Sequence, residues 1–350
     1  MDPGPPVIRR LLAAVLIALP VLSGCAGGGD TPTSWVDDEV TFEAGGLTVH
    51  GTYRHARGDA KKPAALLISE SGQTDRNGDN NIAGPVGNMR QLAEYLSERG
   101  VASLRYDKVG TGATGLGPFA GRPGDVGSAV YTDGAKAAVR FLAGRPATDA
   151  ERLSVYAVGE GTIHAMSLAD DTSPGAPAIR ALGLLQPLPS RYLDLITGRV
   201  RADAAAAVRD GTKTPAQADQ VLSAWQAAVT EARTAGTVPA ELPDGLGAIL
   251  NPGNVGAVVE ADRIDPLALA AAVPDGTRVL LTCSDSDGQS DCADVTPLAD
   301  ALAHTALQLV RLTGVNHVLR DDPTDNVAHY ARPDPLSPQL TAALDQFTAE

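Results

Sequence analysis

Short apolar runs alternate along most of the chain with segments in which apolar residues recur every three or four positions. The runs are typical of strands buried on both faces, and the spaced segments are typical of helices that cover them. The strands are predicted at residues 64–69, 101–106, 153–158, 181–185, 279–282 and 307–309, and the helices at 89–99, 129–142 and 339–347. Strands that alternate with helices form a parallel sheet covered on both faces. The pattern therefore predicts the α/β class, with a doubly wound and mostly parallel sheet.

Two segments depart from this alternation. Residues 40–42 and 47–53 alternate apolar and polar positions on either side of Gly45 and Gly46, which predicts a β-hairpin. Residues 190–247 are rich in alanine and charged side chains and have no strand pattern. A helical insertion between two strands of such a sheet is typical of a cap over a site. A packed helical layer without a gating role is the alternative.

The first 25 residues have the pattern of an export signal. Arg9 and Arg10 precede an apolar run over residues 11–22, which is too short to span a bilayer. The run ends in Leu22-Ser23-Gly24-Cys25, which resembles the lipobox of bacterial lipoproteins. In those proteins the signal is cleaved before the cysteine, whose thiol carries a lipid. An ordinary signal peptide or a merely apolar N-terminus is the alternative.

The lipobox resemblance also implies domain limits and a location. It implies a signal peptide over residues 1–24, a lipidated tether over residues 25–37 and a folded domain over residues 38–350. The protein would be exported and held by the lipid on Cys25, on the outer side of the cytoplasmic membrane or elsewhere in the cell envelope. The membrane would then be a partner through the lipid anchor.

The two remaining cysteines, Cys283 and Cys292, are nine positions apart. In an exported protein such a pair predicts a disulfide bond, and two buried free thiols are the alternative. Neither a CxxC pair nor a Cys/His cluster points to zinc, so no metal and no cofactor are expected.

Charge and glycine spacing exclude two further classes of function. The net charge of −14 is unsuited to nucleic acid, because phosphates need a basic surface. Residues 110–115 match the GxGxxG spacing of dinucleotide sites, but such a site requires a helix to begin at the glycines. Pro118 and Pro123 follow instead, which argues against a dinucleotide cofactor.

Several segments, taken in order, resemble the α/β-hydrolase family related to serine aminopeptidases and acyl esterases. The first two are LLISESGQTDRNGDN (66–80) and RQLAEYLSERGVASLRYDKVGTGATG (90–115). Further matches are ELPDGL (241–246), DPLALAAAV (265–273), DSDGQ (285–289) and GVNHVLR (314–320). The resemblance covers nearly the whole chain after the export signal, and the order of the segments is its specific feature.

The resemblance implies a site at the carboxyl ends of the strands. In this fold the nucleophile, the acid and the histidine follow successive strands in that order. Asp287 matches the acid and His317 matches the histidine, which would act as general base while the carboxylate fixes its tautomer. The same acidic loop offers other carboxylates as rivals to Asp287, namely Asp285, Asp291 and Asp294.

The nucleophile position departs from the family pattern. The family expects Gly-x-Ser-x-Gly between a strand and a helix, and the alignment of Gly161 with the last glycine places Gly159 on the serine. Glycine has no side chain with which to attack a carbonyl. Glu70, Ser71 and Glu160 match the segments that form the oxyanion loop, where Glu70 replaces a glycine of the family.

These observations leave three functional hypotheses. The first is a degenerate hydrolase that binds a small acyl, ester or peptide-like ligand with the remaining Asp287 and His317. The second is an active esterase or peptidase whose nucleophile is another group, such as a water activated by His317. The third is a structural lipoprotein without a ligand. Function must be argued from the site, because one fold supports many activities.

Overall fold

The computed structural model describes residues 34–58, 60–70 and 72–349, and in these residues eight strands form one sheet. The strands are β1 (Trp35–Ala44), β2 (Leu47–Ala56), β3 (Lys62–Ile68), β4 (Ala102–Tyr106), β5 (Thr148–Gly159), β6 (Ile179–Pro187), β7 (Arg278–Ser284) and β8 (Ala306–Leu312). Their order across the sheet is β1-β2-β4-β3-β5-β6-β7-β8. Strands β4, β3, β5, β6, β7 and β8 are parallel, and β2 joins β1 and β4 antiparallel. The predicted α/β class with a doubly wound, mostly parallel sheet is confirmed.

Nine α-helices accompany the sheet in the described residues. They are α1 (Asn88–Glu98), α2 (Ser128–Ala143), α3 (Gly161–Ala169), α4 (Tyr192–Arg209), α5 (Pro215–Ala235), α6 (Val255–Arg263), α7 (Pro266–Ala272), α8 (Cys292–Ala301) and α9 (Pro338–Ala349). In the part of the chain that the structure describes, no helix is both long and apolar enough to cross a bilayer.

The two faces of the sheet bury separate apolar cores. Helices α2, α3, α7 and α8 cover one face, and α1 and α9 cover the other. Leu66 of β3 points into the first core and Leu67 into the second, as expected for consecutive residues of a strand. Both leucines are at most 1% exposed, which explains why this strand is a continuous apolar run in the sequence.

The structure moves two limits predicted from the sequence. Strand β1 begins at Trp35, so residues 35–37 belong to the sheet and not to the tether, because they pair with the end of β2. The helical insertion between β6 and β7 also continues beyond residue 247 through α6 and α7. Val255 and Val259 of α6 pack into the same apolar cluster as Leu193 of α4, so α6 is part of this insertion, which is the predicted cap. Residues 1–33 lie outside the described residues.

Cys283 is the penultimate residue of β7 and Cys292 begins α8, and the structure joins them in a disulfide with a Cα–Cα distance of 4.9 Å. The bond closes a loop that contains Asp287. A covalent closure of this loop restricts the positions that the Asp287 carboxylate can take.

The Cys283→Ser/Cys292→Ser variant is expected to lose about 2.5 kcal/mol of unfolding free energy, because a loop of about ten residues regains its conformational freedom in the unfolded chain. Urea unfolding of the variant and of the wild type, each with and without reductant, measures the loss. Reductant should destabilise only the wild type. An unfolding free energy that is the same for both proteins without reductant would contradict the prediction.

Candidate active site

A sharp turn between β5 and α3 places Gly159 at the carboxyl edge of the sheet. Its φ is +55°, in the left-handed region that strains residues with a side chain. Gly161 permits the approach of α3 to β3, since a Cβ there would lie 2.9 Å from the carbonyl oxygens of Ile68 and Ser69. This backbone is that of a strand-to-helix elbow, and Gly159 is the residue at its apex.

Two buried side chains meet beside this elbow. His317 lies in the loop after β8 and Asp287 in the loop after β7, and each is 2% exposed. The Nδ1–H of His317 donates to Asp287 Oδ2 at 2.8 Å. The other oxygen of Asp287 accepts from the backbone N–H groups of Gln289 and Ser290 at 2.7 and 3.1 Å. The carboxylate is thereby held in the orientation that fixes the imidazole.

The second imidazole nitrogen of His317 faces Glu70, which lies just after β3. Nε2 and Glu70 Oε2 are 2.8 Å apart. A Cβ built on Gly159 would lie 3.2 Å from the same Nε2 and 3.2 Å from the Cβ of Glu70. The carboxylate of Glu70 therefore occupies the place where a side chain at position 159 would meet the imidazole. The sequence predicts that Glu70 belongs to the oxyanion loop. In the structure its carboxylate contacts Nε2 of His317.

His317, Asp287 and Glu70 form a trio whose charges stabilise one another. Burial alone would lower the pKa of His317, but the carboxylates of Asp287 and Glu70 raise it well above its ordinary value. Burial would raise the pKa of Glu70, but the charge of His317, its hydrogen bond and the charge of Lys108 together lower it. His317 is thus an imidazolium that donates from both nitrogens, so it cannot accept a proton from a hydroxyl group or a water.

Two further ionisable side chains, Lys108 and Glu160, border these three residues. The ammonium of Lys108 donates to the backbone carbonyl of Glu70. Burial lowers the pKa of Lys108, although Glu160 and Glu70 oppose the effect. Burial likewise raises the pKa of Glu160, against the attraction of Lys108. Sequence reasoning did not identify Lys108 as a site residue, although it belongs to the RYDK segment.

The segments TDR and RYDK hold the loop of Glu70 in place. The guanidinium of Arg76 donates to both oxygens of Asp107, at 3.1 and 3.0 Å, and its backbone N–H also donates to Asp107 at 3.0 Å. The glycine-rich loop 110–115 wraps the same carboxylate, since a Cβ on Gly112 would lie 2.2 Å from Asp107 Oδ2. The GxGxxG spacing thus reflects close packing around Asp107.

Asp325 links the histidine loop to the acid loop. Its carboxylate accepts from the backbone N–H groups of His317 at 2.9 Å and Gly288 at 3.0 Å, and from the hydroxyl of Tyr330 at 2.6 Å. This role could not be predicted from the sequence, because Asp325 lies in a polar loop with no motif. Asp325 is therefore a positioning residue for both His317 and Asp287.

Two of the rivals of Asp287 have other partners. Asp285 accepts from the backbone N–H of Gly314 at 2.8 Å, and Asp291 caps the start of α8 at Ala293.

His164, three residues after Gly161, is buried and its Nδ1 bonds to the Thr132 hydroxyl, while burial lowers its pKa to about 3. Ser71 and Cys25 lie outside the described residues. The described residues contain no group of three or more His, Cys, Asp or Glu side chains arranged to hold a metal ion.

A cavity of about 100 Å³ opens beside these three residues, under the predicted cap. Gly159, Glu160, Gln289 and His317 line it from the sheet side. Residues of the segment after β6 and of α4 line its other side, namely Pro187, Leu188, Tyr192, Leu195, Ile196 and Arg199. The cavity therefore offers an apolar wall, the Glu160 carboxyl and the Arg199 guanidinium to a ligand.

Comparison with solved structures identifies the fold of this chain. The esterase Pf2001 of Pyrococcus furiosus is similar over 91% of each chain, with 14% identity and a TM-score of 0.55. Est1E from Butyrivibrio proteoclasticus covers 89% of this chain and 97% of its own, with 17% identity and a TM-score of 0.52. The chain has the α/β-hydrolase fold. DcsB, solved with its substrate analogue, covers 90% of this chain and 98% of its own at 14% identity and a TM-score of 0.55. No protein-family model and no curated protein matches the sequence.

Glu70→Gln is expected to lower the unfolding free energy by about 1 to 3 kcal/mol, because it removes a charged partner from a buried imidazolium. In the unfolded chain, Glu70 is ionised above about pH 4.5 and His317 is protonated below about pH 6.5. The loss should be largest between these values and should shrink as the pH rises through the raised pKa of His317.

Urea unfolding of wild type and variant at pH 5.5, 7 and 9 measures this loss. Glu241→Gln is the control, since Glu241 is exposed and should give a small difference that does not vary with pH. A loss at pH 9 equal to that at pH 5.5 would contradict the assignment of an ion pair between Glu70 and His317.

Proposed function

We propose that this protein is a degenerate α/β hydrolase of the cell envelope, which binds an acyl, ester or peptide-like ligand and does not hydrolyse it. One observation carries the proposal: the nitrogen of His317 that would activate a nucleophile is bonded to Glu70, and the neighbouring residue, Gly159, has no side chain. Covalent acyl transfer needs a nucleophile and a base that can take its proton. Neither is present at this point of the site.

The remaining features support ligand binding. The cavity beside His317 is lined on the cap side by apolar side chains and on the sheet side by polar groups, which is the composition of small-molecule sites. Pf2001 and Est1E, two of the similar solved structures, are esterases, which favours a ligand related to acyl esters. Glu160 and Arg199 line the cavity without an ion pair to any described residue and are free to contact such a ligand.

Labelling with a fluorophosphonate tests the loss of hydrolysis. The wild type is expected to remain unlabelled and to leave p-nitrophenyl esters intact. Gly159→Ser alone should label weakly or not at all, because its hydroxyl competes with Glu70 for Nε2 of His317. Glu70→Gly/Gly159→Ser removes that competition and should label at position 159.

Controls make the labelling result decisive. Adding His317→Ala to the double variant should abolish labelling if the hydroxyl depends on the imidazole. Thermal unfolding should show that the variants fold, with a loss on the order of 1 kcal/mol from strain at φ +55° in addition to the loss caused by removal of Glu70. Labelling of the wild type, abolished by mutation of a different serine, would establish the active hydrolase. A folded double variant that stays unlabelled would show that Gly159 is not the nucleophile position.

The cell-envelope location is part of the proposal and rests on Leu22-Ser23-Gly24-Cys25. Cys25→Ala is expected to release the protein from the membrane fraction, because the lipid is its anchor. Fractionation of cells that carry either form measures the release. A mature N-terminus of the wild type that mass spectrometry finds unmodified would contradict lipidation.

A further inference from the structure

A second and larger cavity lies within the cap. Its volume is about 710 Å³, within the range of about 300 to 1,000 Å³ that small-molecule sites occupy. Helices α4 and α5 and the segment that ends in α6 enclose it. Most of its lining is aliphatic: Ile196, Val200, Ala204, Ala207, Val221, Leu246, Ala248, Ile249 and Val258. A cavity with these walls favours a ligand with an alkyl part.

The cap cavity adjoins the cavity beside His317. Tyr192, Ile196 and Arg199, on successive turns of α4, line both of them. A single elongated ligand bound in the cap would therefore place one of its ends at these three residues. Of the three, only Arg199 has a charged side chain.

Arg199 is the one buried guanidinium donor in the cap that lacks a protein partner. Its Nη2 is buried, and no described residue accepts a hydrogen bond from it. Two other basic residues of the cap are paired: Lys213 with Asp244 at 2.7 Å, and Arg233 with Asp262 at 2.7 Å. A buried donor without an acceptor is unfavourable, so a ligand that supplies an acceptor would gain from the contact.

The carboxylates around Arg199 do not neutralise it. Asp203 lines the cap cavity one turn further along α4, but it is exposed and forms no ion pair within the described residues. Asp194 lines a groove next to Arg199, but its carboxylate accepts from Arg233 at 2.8 Å. Glu160 faces the smaller cavity, and burial raises its pKa. The carboxyl groups of Asp203, Asp194 and Glu160 disfavour a ligand headgroup with several negative charges. A headgroup with one negative charge matches the single guanidinium of Arg199.

We propose that the cap cavity binds a long-chain carboxylate, with the alkyl chain among its aliphatic residues and the carboxylate on the guanidinium of Arg199. This assignment rests on the proposed function and names its ligand class. The carboxylate accepts from Nη2, which has no other acceptor among the described residues. The chain replaces water along the apolar wall.

Dodecanoate and dodecanol, both below their aggregation concentrations and without detergent, are the probes. Trp225 reports binding, because it is buried in the apolar cluster of the cap with Ile196 and Val200. The full chain with Cys25→Ala and Trp35→Phe leaves Trp225 as its only tryptophan. Its fluorescence should change on addition of dodecanoate, with a dissociation constant at least tenfold lower than that for dodecanol. Butyrate, which lacks the long chain, should bind at least tenfold more weakly than dodecanoate.

Two variants separate the anion contact from general packing. Arg199→Met should weaken dodecanoate binding tenfold or more and change dodecanol binding less than threefold. Arg201→Met is the matched control, since Arg201 is an exposed arginine of the same helix that lines neither cavity, and it should change dodecanoate binding less than threefold. Thermal unfolding checks that both variants fold.

The possible results distinguish this inference from the proposed function. Equal affinity for dodecanoate and dodecanol, or no effect of Arg199→Met, would overturn the carboxylate assignment while leaving a non-hydrolytic binding protein. No binding of either probe would overturn the cap site. Hydrolysis of dodecanoyl esters by the wild type would instead overturn the proposed function, whatever the effect of Arg199→Met.

Discussion

The imidazolium of His317, held between the carboxylates of Asp287 and Glu70, is the interaction on which the site depends. Its three members come from the loops after β8, β7 and β3, which meet because parallel strands bring their carboxyl ends to one edge. Asp325, the pair of Arg76 and Asp107, and the disulfide of Cys283 and Cys292 each hold one of these loops. These contacts at the edge of the sheet thus hold the imidazolium of His317 in place.

Under the proposed function, the same interaction accounts for an α/β-hydrolase fold that keeps its shape without hydrolysis. A histidine that faces one carboxylate can alternate between neutral and charged forms during catalysis. A second carboxylate on Nε2 removes that alternation, because the charged form becomes the ground state. The elbow backbone persists, since Gly159 tolerates its φ of +55° without strain. The cavity beside the trio and the larger cavity in the cap then remain available for binding.

Much of this organisation could be predicted from the sequence. The apolar runs predict the parallel sheet because a strand buried on both faces has no polar positions, as Leu66 and Leu67 show. The position of His317 and Asp287 after successive strands predicts their meeting, because strand order fixes which loops are neighbours. The contact of Glu70 with His317 could not be predicted, because it depends on the direction of one side chain. The role of Arg199 likewise could not be predicted, because no sequence pattern shows that its buried Nη2 has no acceptor among the described residues.

Nitrogen-15 NMR of the His317 ring at pH 7 tests the central claim most directly, with the signals assigned by their loss in a His317→Gln variant. If Glu70 and Asp287 both accept from the ring, the two ring nitrogens should carry protons and show the similar shifts of an imidazolium. Glu70→Gln should lower the pKa of His317 by about 1 to 3 pH units, which is the effect of removing one adjacent charge. A neutral ring at pH 7 with an unprotonated Nε2 would contradict the account, because that nitrogen would be free to act as a base.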